Sequence, residues 1–145
     1  MTRDVSFEPK GRILAIDFGS KRVGLAVSDL SQFLATPFMT IENKGYNALV
    51  CRIVDIVNRK DIKGIIVGNP LNMDGTVSEM AKRAARLAKK LSIATPVPVF
   101  MWDERLTTQS AHDMLIQTGQ SPSKQRNRID QIAAAYLLQS FLDQH

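Results

Sequence analysis

Residues 13–27 have the sequence Ile-Leu-Ala-Ile-Asp-Phe-Gly-Ser-Lys-Arg-Val-Gly-Leu-Ala-Val. The two short apolar runs, 13–16 and 23–27, are typical of buried strands, and the link 18–22 is short enough for a hairpin. Asp17 stands at the end of the first run. The run Pro37–Ile41 indicates a third strand. We therefore predict that the first three strands are antiparallel, because hairpins join neighbouring strands in that direction.

The pattern then changes to alternating helices and strands. Apolar residues recur at helical spacing over 49–57 and again over 80–91. Between these helices, Gly64–Gly68 is a continuous apolar run, as expected for a strand that is buried on both faces. A fifth strand is predicted over Val97–Trp102, and Pro98 favours a position at the edge of the sheet.

The remaining segments complete an α/β architecture. Thr107 or Thr108 can cap a further helix, the polar and basic segment 119–128 is predicted to be a mobile loop, and a strong amphipathic helix closes the chain over Ile129–Phe141. Right-handed helical crossovers make strands four and five parallel to the first. The result is a mixed five-stranded sheet with helices on both faces. This is the ribonuclease-H-like topology, although other α/β folds share parts of it.

Composition limits the chemistry. A chain of 145 residues has the size of one domain, and its formal charge of +5 is a mild indication of a polyanionic partner. The single cysteine, Cys51, excludes an intrachain disulfide and a cysteine-rich zinc site, and two histidines are too few for a histidine-based metal centre. A bound metal would need oxygen ligands, which favours Mg²⁺ or Mn²⁺.

The domain organisation and location follow from the same sequence. Residues 1–10 are predicted to be a flexible tail and residues 11–145 a single domain. The tail has no apolar segment like that of a signal peptide, and no apolar run approaches the length that spans a membrane. We therefore expect a cytoplasmic protein.

Acidic side chains are expected to collect at one edge of the sheet. Ligands of open α/β sheets bind beyond the carboxyl ends of the parallel strands. Asp17, Glu104 and Asp74 follow such strand ends. Asp29 ends the second strand, which runs the other way, so it is expected at the opposite edge with a structural role.

Asp130 joins this group if the closing helix packs back across the sheet near the first strand, and the small residues Ala133–Ala135 would allow a close approach. Its alternative role is to complement the dipole at the start of a helix. Carboxylates that converge repel one another unless a cation lies between them. Two metal ions held by carboxylates can support phosphodiester hydrolysis without a histidine.

Four segments resemble the bacterial YqgF-type nucleases: Asp17–Ala26, Val67–Thr76, Asp103–Thr108 and Ile129–Ala135. Members of this family have been described as Holliday-junction resolvases and, in another interpretation, as pre-16S rRNA nucleases. The resemblance implies a ribonuclease-H-like fold and assigns catalytic and metal-binding roles to Asp17, Glu104 and Asp130. It favours 5′-end maturation of pre-16S rRNA over cleavage of four-way DNA junctions. Ser20 and Asn69 depart from the residues common in the family, but both leave the acids unchanged.

Basic residues near these acids are candidates for substrate binding. Lys124, Arg126 and Arg128 precede Asp130 without an intervening acid, and phosphate contacts position a nucleic acid on a protein. Lys21 and Arg105 are further candidates, although Arg105 could instead pair with Asp103.

Other features have plainer interpretations. The stripe Lys82, Arg86 and Lys89, flanked by Arg83 and Lys90, is interpreted as a solvated helix face. Trp102 is expected to pack in the core rather than stack on a base. Gly19 and Gly24 could let the backbone approach a phosphate, but a tight hairpin explains Gly24 without that role and explains Gly19 equally well.

Two other functions remain open at this stage. The sequence Asp-Phe-Gly-Ser at 17–20 resembles the phosphate loop of actin-like and sugar-kinase ATPases, which clamp ATP between two lobes. One lobe of this size, without a second such element, cannot form that cleft. The other alternative is an RNA-binding protein that keeps the fold without catalysis, and the presence of all three acids argues against it.

Overall fold

The computed structural model describes residues 7–70, 74, 76–103 and 122–144, with the backbone alone for 122–126. Its strands are β1 (Arg12–Asp17), β2 (Arg22–Ser28), β3 (Ala35–Glu42), β4 (Ile62–Asn69) and β5 (Val99–Asp103). Its helices are α1 (Tyr46–Lys60), α2 (Glu79–Ala94) and α3 (Pro122–Asp143). Within the described residues, none of these helices combines the length and apolar character needed to span a membrane.

The strands form one sheet in the order β3-β2-β1-β4-β5. β2 is antiparallel to both β1 and β3, whereas β4 is parallel to both β1 and β5. The mixed five-stranded sheet predicted from the sequence is therefore confirmed, including its antiparallel first three strands. β5 lies at the edge, as Pro98 indicated.

The helices cover both faces of the sheet, as predicted. Successive side chains of a strand point to opposite faces. In β1, Leu14 and Ile16 pack against α1 and α2, while Ile13 and Ala15 pack against α3. These four side chains are fully buried. The alternation along β1 therefore divides the core into two layers, and the following residue, Asp17, falls on the α3 side.

The start of α3 corrects one prediction. Residues 119–128 were expected to form a mobile loop, but the helix begins at Pro122, so residues 122–128 are helical. Proline suits the first turn of a helix because its missing N–H would have no partner there. Lysine, arginine and glutamine also favour helices. The segment lacks apolar periodicity because this end of α3 is exposed at Asn127 and Arg128. The helix expected after Thr107 or Thr108 lies outside the described residues.

Phe7 packs against the α3 side of the core. Its ring makes edge-to-face contacts with Phe100 at 5.2 Å and with Phe141 at 5.4 Å. A side chain at Gly64 would overlap the Phe7 ring. The boundary between a tail over residues 1–10 and a domain over residues 11–145 stays a prediction, and Phe7 belongs to the packed part.

Asp29 stabilises the turn between β2 and β3, at the edge of the sheet opposite Asp17. One of its carboxylate oxygens accepts hydrogen bonds from the backbone N–H groups of Phe33, at 2.8 Å, and Leu34, at 3.0 Å. These bonds, with the one from Leu34 contributing most, lower the pKa of Asp29 below its ordinary value. The structural role expected for this acid is confirmed.

We predict that Asp29→Asn lowers the melting temperature slightly near pH 7 and leaves the fold intact. The lowered pKa means that the folded state favours the charged carboxylate, so this stabilisation is present above the ordinary pKa of about 3.9. It is lost as the pH falls through the lower pKa of the folded state. The effect is less than about 1 kcal/mol because the carboxylate is exposed and screened. Melting curves of both proteins from pH 7 to pH 3 check it, and a difference that grew on acidification would contradict it.

Candidate active site

Asp17 lies at the carboxyl edge of the three parallel strands. It is partly buried and is the last residue of β1. In the adjacent β4, Val67 pairs with Ile16, and two residues later Asn69 pairs with Asp103, the last residue of β5. The ends of β1, β4 and β5 therefore meet at one edge, as the sequence predicted.

The backbone of α3 comes into direct contact with β2 beside Asp17. Gly24 of β2 is the register partner of Asp17. A Cβ atom at Gly24 would overlap the backbone carbonyl of Asp130 and lie 3.0 Å from its Cα. Gly24 and Asp17 are directly paired, and the Cβ positions of such residues are about 5 Å apart. Adding the two distances places the Asp130 Cα within roughly 8 Å of the Asp17 Cβ. The structure thus brings together two of the three acids selected from the sequence.

This contact also corrects the explanation given for Gly24. The sequence suggested that a tight hairpin requires glycine at this position, but Gly24 lies inside β2. Glycine is required because the backbone of a helix occupies the space of a side chain. The turn interpretation holds for Gly19, where a Cβ would overlap the carbonyl of Arg22 within the hairpin.

Arg22 is a site residue that the sequence analysis missed. Its Nε donates a hydrogen bond of 2.7 Å to Oδ2 of Asp130, and the two side chains are 34% and 20% exposed. Arg22 lies two residues before Gly24, so both positions face α3. Its positive charge offsets the repulsion between the two nearby carboxylates. Within the described part of the chain, no donor contacts the other oxygen of Asp130, Oδ1.

Hydrogen bonds fix α3 to the sheet along its length. Near its start, Thr40 donates through Oγ1 to the carbonyl of Asn127 at 2.7 Å. Further along, the Gln139 side chain accepts from the Ala35 N–H and donates to the Phe33 carbonyl, both at 2.9 Å. Because these contacts lie on both sides of Asp130, they fix the position of that residue.

Trp102 contributes to the same attachment. Its Nε1 donates to the Ser140 hydroxyl at 3.2 Å, and its ring meets Phe141 edge-to-face at 5.2 Å. The expectation that Trp102 packs in the core is therefore confirmed. Its indole joins β5 to α3 on the side of the sheet that carries Asp17.

The structure leaves two predicted site residues undescribed and places Asp74 in a local turn. Glu104 and Arg105 fall outside the described residues, directly after Asp103. Asp74 is exposed, and its Oδ1 accepts from the Thr76 backbone N–H at 3.0 Å and hydroxyl at 2.7 Å, which defines a local turn.

The remaining candidates are basic residues. Lys21 and Arg128 are exposed, whereas the side chains of Lys124 and Arg126 are not described. No three Asp, Glu, His or Cys side chains converge as a metal cluster among the described residues. Asp17 and Asp130 lie near each other at this edge, and Glu104 stays the prediction for a third metal ligand.

The sheet order, with α1 and α2 on one face and α3 on the other, places the protein in the ribonuclease-H-like class. The same architecture occurs in Thermus thermophilus RuvC, in a structure with a Holliday junction substrate. The two align with a TM-score of 0.57 and 16% sequence identity, over 92% of this chain and 95% of that one. At this identity the likeness establishes the fold alone.

The chain belongs to the RuvX family, whose family model is described as Holliday junction resolvase and matches residues 11–144. A relative from Pelagibacter ubique is 40% identical over 134 residues, covering 92% of this chain and 89% of the relative. Another, from Syntrophus aciditrophicus, is 38% identical over 132 residues, covering 91% and 88%. Both carry the provisional name pre-16S rRNA nuclease. The resemblance to a nuclease family that the motifs indicated is confirmed.

We predict that Gly24→Ala destabilises the protein by about 1–3 kcal/mol, because the added methyl group must displace backbone rather than a flexible side chain. The movement of α3 would shift Asp130 relative to Asp17, so nuclease activity should fall although no acid is changed. Denaturant unfolding measures the first effect and a cleavage assay the second. Unchanged stability and activity would show that α3 does not rest on β2 at this position.

Proposed function

We propose that this protein is a metal-dependent endonuclease that hydrolyses phosphodiesters of structured nucleic acid. The observation that carries the proposal is the packing of the Asp130 backbone over Gly24, directly beside Asp17. This packing joins two acids that are far apart in the sequence, at the edge of the sheet where ligands collect. Because the chain belongs to a nuclease family, two neighbouring carboxylates at this position support the assignment of a hydrolytic function.

Asp17, Asp130 and Glu104 are proposed to hold the metal, and Mg²⁺ or Mn²⁺ is the proposed ion. The donors fit such ions because carboxylate oxygens are their preferred protein ligands. When bound, paired divalent ions activate a water molecule and stabilise the charge on the attacking and leaving oxygens. The pairing of Asp103, the residue before Glu104, with Asn69 at the end of β4 supports the choice of Glu104.

Arg22 is proposed to position Asp130. Its guanidinium occupies Oδ2, which leaves Oδ1 for a ligand and restricts rotation of the carboxylate. Arginine keeps its charge at every physiological pH. It therefore limits the repulsion between the acids before a cation or substrate arrives.

The proposed substrate is the precursor of 16S rRNA, cleaved during maturation of its 5′ end. The names of the similar proteins from Pelagibacter and Syntrophus support this choice. The alternative is a four-way DNA junction, which the description of the family model favours. Lys21, Arg105, Lys124, Arg126 and Arg128 are proposed to contact phosphates near the site. The proposed location is the cytoplasm, where ribosome precursors are processed.

We predict that the purified protein cleaves precursor 16S rRNA at its 5′ end with Mg²⁺ or Mn²⁺ and not with Ca²⁺ alone. Ca²⁺ accepts looser coordination of higher number, whereas a two-metal displacement requires tight placement of the reacting oxygens. The assay compares end-labelled precursor RNA with a four-way DNA junction, each with one ion at a time and with excess EDTA.

The outcomes of this assay separate the candidates. Cleavage of the junction and not of the RNA would favour the resolvase alternative. Full turnover in EDTA, with contaminating metal controlled, would contradict the metal-dependent mechanism for either substrate. A protein that binds RNA tightly but cuts neither substrate with any ion would be a non-catalytic RNA-binding protein.

We predict that Asp17→Asn, Glu104→Gln and Asp130→Asn each reduce cleavage by at least roughly a hundredfold, more than residues that only support metal ligands usually do. The folded state should survive, because the loss of mutual repulsion offsets the lost contacts. Asp29→Asn is the matched control, since it removes the same charge at the opposite edge and should retain activity. Activity retained in two of the three variants would refute the assignment, and Asp74 would replace the idle acid.

A further inference from the structure

A solvent-connected cavity of about 240 Å³ lies beside the β1–β2 turn, on the face of the sheet opposite α3. Phe18 and Ser20 line it from the turn, Asn43 from the link between β3 and α1, Tyr46 from the start of α1, and Arg83 and Arg86 from α2. The lining contains two arginines and no carboxylate. Within the described part of the chain, neither arginine forms an ion pair.

Tyr46 organises the cations of this cavity. Its ring stacks on Phe18 with 6.2 Å between centroids and an interplanar angle of 9°. The guanidinium of Arg86 and the ammonium of Lys90 lie over the Tyr46 ring at 5.8 and 5.7 Å. Its hydroxyl donates to the Arg83 carbonyl at 3.4 Å. The aromatic pair therefore restrains the positive charges of α2 beside the turn that follows Asp17.

The surrounding backbone is also suited to an anion. The residue before α1, Gly45, provides no side-chain cap, and the first turn of this helix contains no acid. The N–H groups at a helix start have no partner within the helix and carry partial positive charge. Asn43 shapes this corner, since it donates to the Gly19 carbonyl at 2.9 Å and accepts from the Gly45 N–H at 3.0 Å.

The cavity is close to the candidate catalytic edge. Ser20 is three residues from Asp17, so their Cα atoms are at most about 11 Å apart. A strand of nucleic acid advances about 3.4 Å per nucleotide along a duplex, so this distance corresponds to about three nucleotides. Asp17 faces α3 and the cavity opens on the other face. A strand that crosses the carboxyl edge of the sheet can therefore reach both.

We propose that this cavity binds a phosphate of the substrate strand, within about three nucleotides of the cleaved bond, through Arg83 and Arg86. The inference rests on the proposed nuclease function and adds a specific contact to it. It also revises the interpretation of α2 as a merely solvated basic helix. The basic residues of α2 that contact Tyr46 are Arg83, Arg86 and Lys90, whereas Lys82 and Lys89 do not line the cavity.

The test compares two double variants of the full chain that lose the same charge from the same helix. One is Arg83→Gln with Arg86→Gln, and the matched control is Lys82→Gln with Lys89→Gln. Fluorescence anisotropy measures the binding of labelled precursor 16S rRNA without divalent metal, from 50 to 300 mM salt. The loss of one phosphate contact should reduce the log–log salt slope by about 0.7–0.9 and weaken binding by roughly fivefold or more near 0.1 M salt.

The control pair should change the salt slope by less than half of that amount. Thermal melting confirms that both variants remain folded, which is expected because all four side chains are exposed. If both pairs lose affinity equally, α2 acts only as a diffuse positive surface and the cavity proposal fails while the nuclease function stands. If wild-type protein binds neither the RNA nor a four-way DNA junction, both proposals fail.

A charge-neutral substrate tests the contact at the level of single phosphates. Methylphosphonate linkages are placed one at a time at the three positions on each side of the cleavage site. In the wild type, one neutral linkage should weaken binding, and the same linkage should have no further effect in the arginine double variant, because the two changes remove one interaction. Additive losses at every position would overturn the proposal.

Discussion

The candidate site depends on the close packing of a helix backbone against a glycine of the sheet. Gly24 has no side chain, so α3 approaches β2 closely enough to place Asp130 beside Asp17. Both faces of β1 are buried under helices, and this leaves α3 little freedom to shift. The position of Asp130 and its spacing from Asp17 follow from this contact. Burial of apolar side chains stabilises the arrangement, but the glycine sets its distance.

Charge is distributed unequally around the carboxyl edge of the sheet. Two acids and their compensating arginine, Arg22, lie on the α3 face, whereas Arg83 and Arg86 lie on the other face around an aromatic pair. A polyanionic chain would be attracted by the second group, while a divalent cation would be attracted by the first. In the proposed nuclease, the two sides of the carboxyl edge serve different parts of the same reaction, because one side would hold the strand and the other would hold the metal.

The sequence predicted the parts of the fold that local pattern determines. The strands followed from apolar runs, and α1 and α2 followed from helical periodicity. The start of α3 was mispredicted because an exposed polar helix has no apolar periodicity. Arg22 was missed because its partner is 108 residues away in sequence. The role of Gly24 depends on its contact with α3. The distinction between the basic residues of α2 that line the cavity and those that do not depends on contacts with Tyr46. No local pattern encodes such contacts.

The distance in sequence between Arg22 and Asp130 has a consequence for the time at which activity arises. Residues 7–103 contain the whole sheet, the first acid and the basic cavity, but not the helix that carries Asp130. Contacts between distant segments form late in folding, because a long loop must close first. Under the proposed function, a nascent chain that has completed its sheet already carries the basic cavity, yet it lacks an assembled cutting centre until α3 docks.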